Sequence, residues 1–220
     1  MFFLSSITRK QIVAGTGLFL VFFILGHLAG NFFIFAGPKA YNGYAEHLDG
    51  LRPALNVVEW LLLLTFVVHM FLTITLLIEN IKARGLRRYA VDRPVGDRTW
   101  ASRLIPVTGT FILAYVIWHL QDFMFADDSG PRVLINGVGY GIYGLVYNAF
   151  KDFRHGGAYI LAVSFLGFHL AHGVQSFIQT LGFEHPVWSP RIRVLSNWMG
   201  VLVALAYSSI PVYIYFYVKL

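Results

Sequence analysis

The sequence predicts an all-α, polytopic membrane protein built on five transmembrane helices. Two observations carry that prediction. Apolar residues make up 57% of the 220 and charged residues only 13%, about half the charged share of an ordinary soluble domain. Five apolar segments, spanning roughly 12–36, 54–81, 104–125, 158–181 and 194–218, each exceed the ~20 residues that a bilayer crossing needs. Hydrocarbon offers no water to satisfy backbone N–H and C=O groups, so the spans must be helices, and residues 1–220 read as one transmembrane domain.

The N-terminal "MFFLSSITRK" places its basic pair after the apolar residues and shows no small-residue cleavage pattern. It reads as a retained end leading into the first span. The first and second spans are joined by "GPKAYNGYAEHLDGLRP", and the second and third by the basic "KARGLRRYAVDRPVGDRTWASR". The third connection, "DDSGPRVLINGVGYGIYGLVYNAFKDFRHGG", is only half polar and has room for a short surface helix; "GFEHPVWSPRIR" completes the set. Within the third, "GYGIYG" satisfies G-x-G-x-x-G. It is expected to lack the strand, helix and acidic partner of a dinucleotide site, and reads as chance.

Lysine and arginine orient the chain. With the N-terminus cytoplasmic, the inner segments hold Arg9, Lys10, the seven basic residues from Lys82 to Arg103, Arg191 and Arg193. The outer segments hold Lys39, Arg52, Arg132, Lys151, Arg154 and Lys219. Eleven against six favours this topology, an inner-membrane protein with its C-terminus outside. The net charge of +6 is then mainly a cytoplasmic feature, suited also to an acidic soluble partner; nothing in it points to nucleic acid. The chain has no cysteine, which excludes disulfides, haem attached through C-x-x-C-H, and any iron–sulfur cluster held by this chain.

Five of the eight histidines, His27, His69, His119, His169 and His172, fall inside the spans. Ionisable groups at that depth are costly and mark function by default. Measured from each span's midpoint at about 1.5 Å per residue, His27 and His119 lie toward the outer side. His69 and His172 lie toward the inner side, about 10 Å away along the membrane normal. Two layers, each with histidines from two different helices, are what two b-type haems with paired imidazole ligands require. A zinc cage would need three or four ligands at one depth, and the spans add only Glu59, Glu79 and Asp122 near their ends. His169 and His172 share a face three residues apart, so depth does not separate them; Gly173 leaves room for a ring beside His172.

The segments "TGLFLVFFILGH" and "TGTFILAYVIWH" repeat one pattern, ending at His27 and His119. Eleven residues come to about 1100°, close to whole turns, so Thr16 lies beneath His27 and Thr108 beneath His119. Each helix thus offers an imidazole at one level and, about 16 Å deeper, a small Thr-Gly step where a second macrocycle could fit. Arg9, Lys10, Arg103 and Lys151 sit at heights suited to haem propionates, but read as solvated flanking charges; His47, His155 and His185 read as ordinary surface histidines.

These patterns, together with His69 and "FHLAHGVQSFIQTLGF", resemble the cytochrome b membrane anchor of succinate:quinone oxidoreductases, the succinate dehydrogenases and fumarate reductases. The resemblance is nearest to the single-chain, five-helix, di-haem branch and spans essentially the whole chain. It implies that His27 and His119 are the iron ligands of the distal haem b, and His69 and His172 those of the proximal one, with "HLAHG" as the matching His-Gly pair. It also implies a flavoprotein subunit that interconverts succinate and fumarate, an iron–sulfur subunit on the cytoplasmic face, and menaquinone as substrate, with FAD and iron–sulfur clusters on those other chains. A dimer of the complex would fit it. Glu46, in "YAEHL", matches a glutamate that accepts quinol protons, whereas Leu170 stands where one relative carries a proton-transferring glutamate. Two other readings remain at this point: the cytochrome b anchor of a hydrogenase or formate dehydrogenase, and a transporter using a histidine relay.

Overall fold

The computed structural model describes residues 5–84, 100–127 and 130–220. Most of the basic second connection, from Gly85 to Thr99, lies outside the described residues. Five helices are long and apolar enough to cross a membrane: α1 (Ser6–Asn31, continued by a 3-10 turn, Phe32–Ala36), α3 (Ala54–Arg84), α4 (Trp100–His119), α6 (Phe153–Thr180) and α7 (Trp188–Phe216). Two short helices, α2 (Pro38–Asp49) and α5 (Gly141–Lys151), lie between spans. The chain is a multi-pass membrane protein, and its described residues are helical apart from one small hairpin and the connecting turns.

Several helices begin earlier than hydropathy alone predicts, because caps and not apolar content decide where they start. Ser5 accepts a hydrogen bond from the Thr8 N–H at 3.1 Å and so starts α1 at Ser6. Asp152 accepts from the Arg154 N–H at 2.9 Å and so starts α6 at Phe153. The first connection, expected as a polar loop, folds as α2. Its signals are Gly37, at φ 90°, followed by Pro38 at the first helical position.

α6 forms the centre of the bundle. It packs along α7 most extensively, and also against α4 and α1, while α3 packs on α1. The α6–α7 crossing is a backbone contact. A methyl placed on Gly167 would lie 2.6 Å from the Gly200 carbonyl oxygen and 2.8 Å from Ala204 Cβ. Small residues are what allow such close approach between membrane helices. On the bundle's outside, Val57, Trp60, Leu64, Leu195 and Leu202 are among many large apolar side chains left exposed, as a lipid-facing surface requires.

At one end of the bundle, α2, α5 and the hairpin form a cap. Leu134–Ile135 pairs antiparallel with Val138–Gly139 through a turn at Asn136 and Gly137, whose φ values of 52° and 82° match a tight hairpin. α5 follows directly. The expected short helix is therefore present, but it is no surface helix: Tyr143, Val146 and Tyr147 are buried in the cap core with Ile34, Tyr41, Phe150 and Ile214. The dinucleotide-like "GYGIYG" does carry a strand before it and a helix after it, contrary to expectation. The strand has only two residues and pairs in a hairpin, so the glycines serve packing; Gly144 sits against the Val133 carbonyl, where no Cβ fits.

Asn42, on α2, ties the cap together. Its Nδ2 donates to the Tyr140 carbonyl at 2.8 Å, and its Oδ1 accepts from the Tyr143 N–H at 3.0 Å. The latter is one of the orphan donors in the first turn of α5, so α2 caps α5 from outside. Lys151, expected as a solvated charge, donates to the carbonyls of Tyr215 at 3.2 Å and Val218 at 2.6 Å and closes the end of α7.

Gly167→Val should force α6 and α7 apart, at a cost of about 1–3 kcal/mol from overpacking. The melting temperature in detergent should fall by several degrees, whereas Gly157→Ala, where an added methyl meets open space, should leave it unchanged.

Candidate functional site

Four spans, α1, α3, α4 and α6, carry the membrane-depth histidines. Toward the capped end, His27 on α1 and His119 on α4 face each other with ring centroids 5.9 Å apart and planes at 87°. Two imidazoles flanking one metal at bonds of about 2 Å each are separated by a similar distance. Aromatic rings enclose the pair: Phe23 stacks on His27 at 5.4 Å, and Tyr115, Phe123 and Tyr159 surround His119 at 5.7, 5.2 and 6.1 Å. Tyr207 lies 6.4 Å from His27 and is fixed by donating its hydroxyl to the Ile24 carbonyl at 2.7 Å.

The two Thr-Gly steps do not stand as free ledges; each receives a histidine from the neighbouring span. Thr16 Oγ1 lies 3.0 Å from His69 Nδ1, and Thr108 Oγ1 lies 3.2 Å from His169 Nδ1. The glycine beside each threonine leaves the space. A methyl on Gly17 would come within 3.3 Å of His69 Cε1, and one on Gly109 within 3.7 Å of His169 Cε1. The hydrogen-bond directions follow from counting protons. The Thr16 hydroxyl donates to the Ile12 carbonyl at 2.8 Å, and that of Thr108 to the Ile105 carbonyl at 3.1 Å. Each hydroxyl has only one proton; placed on that carbonyl, it leaves the imidazole to donate from Nδ1. That fixes the tautomer and leaves Nε2 as the nitrogen open to a metal, the usual support given to a metal-bound histidine.

His172, one turn beyond His169, is differently equipped. Its Nδ1 is buried with no hydrogen-bond partner among the described residues, as is Nδ1 of His119. Orphaned imidazole nitrogens in apolar spans are costly. Among the described residues, no three His, Asp or Glu side chains converge on one point. His27 and His119 instead face each other between aromatic side chains, which suits a flat macrocycle gripped axially.

Glu46 lies on α2 in the cap with its side chain exposed, and His47 beside it is exposed as well. Nearby, burial pushes the Tyr41 phenol up to about 12; it stays protonated and donates to Asn31 Oδ1 at 3.1 Å. Arg9 departs from the solvated role expected of it. It is buried on α1 and meets Glu79 of α3 at 2.8 Å. Lys10 is exposed as expected, and the Arg103 side chain lies outside the described residues. His185 is exposed, and its Nδ1 accepts from the Val187 N–H at 3.2 Å.

A further cluster escaped sequence reasoning. His155, expected at the surface, has its Nε2 2.9 Å from Oδ2 of the buried Asp122. Tyr159 donates its hydroxyl to the same oxygen at 2.8 Å, and Arg132 approaches Oδ1 at 3.5 Å. The available signal was His155 and Tyr159 four apart on one helical face, opposite an acid at a span's end.

No protein-family model and no solved structure matches the chain. It is similar to the succinate dehydrogenase cytochrome b558 subunit of Bacillus subtilis (strain 168), at 26% identity over 188 residues, 84% of this chain and 83% of that protein. That likeness, running over most of both chains, bears out the resemblance to the cytochrome b anchor of succinate dehydrogenase carried by the histidine-bearing helices.

Proposed function

We propose that this chain is a di-haem cytochrome b anchor of a succinate:quinone oxidoreductase, exchanging electrons between menaquinone and an iron–sulfur subunit. The observation that carries the reading is the His27–His119 pair, 5.9 Å apart in an aromatic enclosure between two spans. One haem b would be held there. For the second, the resemblance implies His69 and His172. The geometry supports His169 in place of His172, because Thr108 steadies His169 as Thr16 steadies His69.

Bound haem supplies one-electron carriers at two depths, which lets charge cross a low-dielectric interior. The protein's own part is to orient the imidazoles, exclude water and provide proton acceptors where quinol is oxidised. With the capped end outside, as the lysine and arginine count favours, Glu46 is reachable from that surface and is the proposed proton acceptor. The iron–sulfur and flavoprotein subunits would then dock at the opposite, cytoplasmic end, and dicarboxylate chemistry would belong to the flavoprotein.

Purification in mild detergent should yield a coloured protein with two haems per chain and those two subunits attached. Co-purification of a hydrogenase or formate dehydrogenase would redirect the assignment, and a colourless chain would favour a transporter. Haem content should fall by one in His27→Ala, in His119→Ala and in His69→Ala. Of His169→Ala and His172→Ala, the former should lose a haem and the latter retain both; pyridine haemochrome assays read each count. Thr16→Val should keep both haems at saturation but weaken retention of one about 10–100-fold, the usual cost of removing such a support. Glu46→Gln should suppress quinol oxidation, measured with a menaquinol analogue, while the absorption spectrum stays unchanged.

A further inference from the structure

We infer that the buried carboxylate of Asp122 lowers the reduction potential of the haem held by His27 and His119, and that Arg132 opposes it. This rests on the two-haem reading above. Asp122 is the one buried acid among the described residues. It stands three residues beyond His119, in a stretch where α4 loosens into a π-turn, Leu120–Met124, closed by the Phe125 N–H on the Leu120 carbonyl at 2.9 Å. Such turns recur at functional sites because they redirect a side chain. Here Tyr159 shows where Asp122 has been turned. Its ring lies 6.1 Å from that of His119, while its hydroxyl bonds Asp122 at 2.8 Å.

The electrostatic argument is short. Reducing a haem iron adds one electron and removes one positive charge from the site. A fixed negative charge nearby favours the oxidised state, and a fixed positive charge favours the reduced one. In a water-poor interior such effects are several-fold larger than in bulk solvent. The carboxylate's surroundings are His155 Nε2 at 2.9 Å, the Tyr159 hydroxyl at 2.8 Å, and the half-exposed Arg132 at 3.5 Å. The arginine is the most distant and the wettest of the three, so it offsets the carboxylate only in part; His155 adds to that offset only in its protonated form. Among the described residues the other layer has no counterpart at this range: Glu79 is ten residues from His69, about 15 Å along α3, and is paired with Arg9. Asp122 therefore acts on one haem and leaves the other nearly unchanged, separating their potentials.

A purely mechanical role, tethering α4 to α6, predicts something different, and redox titration distinguishes the two. The haem absorption bands of the purified complex are followed during reductive titration, with the His27→Ala variant identifying which wave belongs to which haem. Asp122→Asn, which keeps an acceptor for Tyr159, should shift the His27/His119 wave to higher potential. Arg132→Gln, at a half-exposed position, should shift the same wave lower. The second wave should stay in place in both variants. Unmoved waves in a protein with both haems bound would overturn the inference alone, as would shifts of the same sign in the two variants. Should Asp122→Asn not assemble, Arg132→Gln decides: a downward shift supports the inference and no shift overturns it. A wild-type protein with two haems but a single wave would also overturn the inference alone, and one with fewer than two haems per chain would overturn the two-haem reading and the inference with it.

Discussion

The hydrogen bond between His69 and Thr16 joins α3 to α1 at membrane depth, and its counterpart between His169 and Thr108 joins α6 to α4. An imidazole in an apolar span is tolerable only when its nitrogens have partners, and water cannot serve at that depth. The threonine meets the need at little cost, since its own proton returns to the helix that carries it. The adjacent glycine then lets the ring lie flat against the backbone. This unit occurs twice, once between α1 and α3 and once between α4 and α6. The bundle is thus two similar helix pairs around a common seam.

Much of this was legible in the sequence because hydropathy and periodicity report directly on membrane depth. The five spans, the facing of His27 and His119, and the alignment of each Thr-Gly step beneath a histidine all follow from counting residues along helices. What counting does not supply is the neighbour. The sequence placed a threonine under His27; only the packing of α3 on α1 reveals that the threonine serves His69. In the same way, counting puts His169 and His172 on one face, and only the position of α4 reveals that the second threonine meets His169.

The cap and the Asp122 cluster were the least legible parts. α2 has a short, polar sequence, and its helical signal rests on Gly37, Pro38 and Gly50 more than on any apolar stripe. α5 looked like a surface helix because its burial depends on Asn42 and Ile34, which lie about a hundred residues earlier. Asp122 is hidden by a change of helical pitch that no periodicity argument anticipates, since a π-turn shifts every following side chain relative to the 3.6-residue repeat. Lys151 and Arg9 show the same limit for charge: each seemed destined for solvent, and each instead answers a group from another part of the chain.

α7 contributes no histidine, yet its contact with α6 is the most extensive in the molecule, glycine against glycine at Gly167 and Gly200. Backbones that touch so directly cannot slide past each other without a clash, so α7 acts as a splint along the helix bearing both His169 and the His155–Tyr159 end of the carboxylate cluster. Four spans would be enough to carry every imidazole; the fifth holds them in register. The two imidazole levels are therefore steadied by a helix that carries no histidine of its own and meets the His27/His119 level only through Tyr207 among the described aromatic contacts.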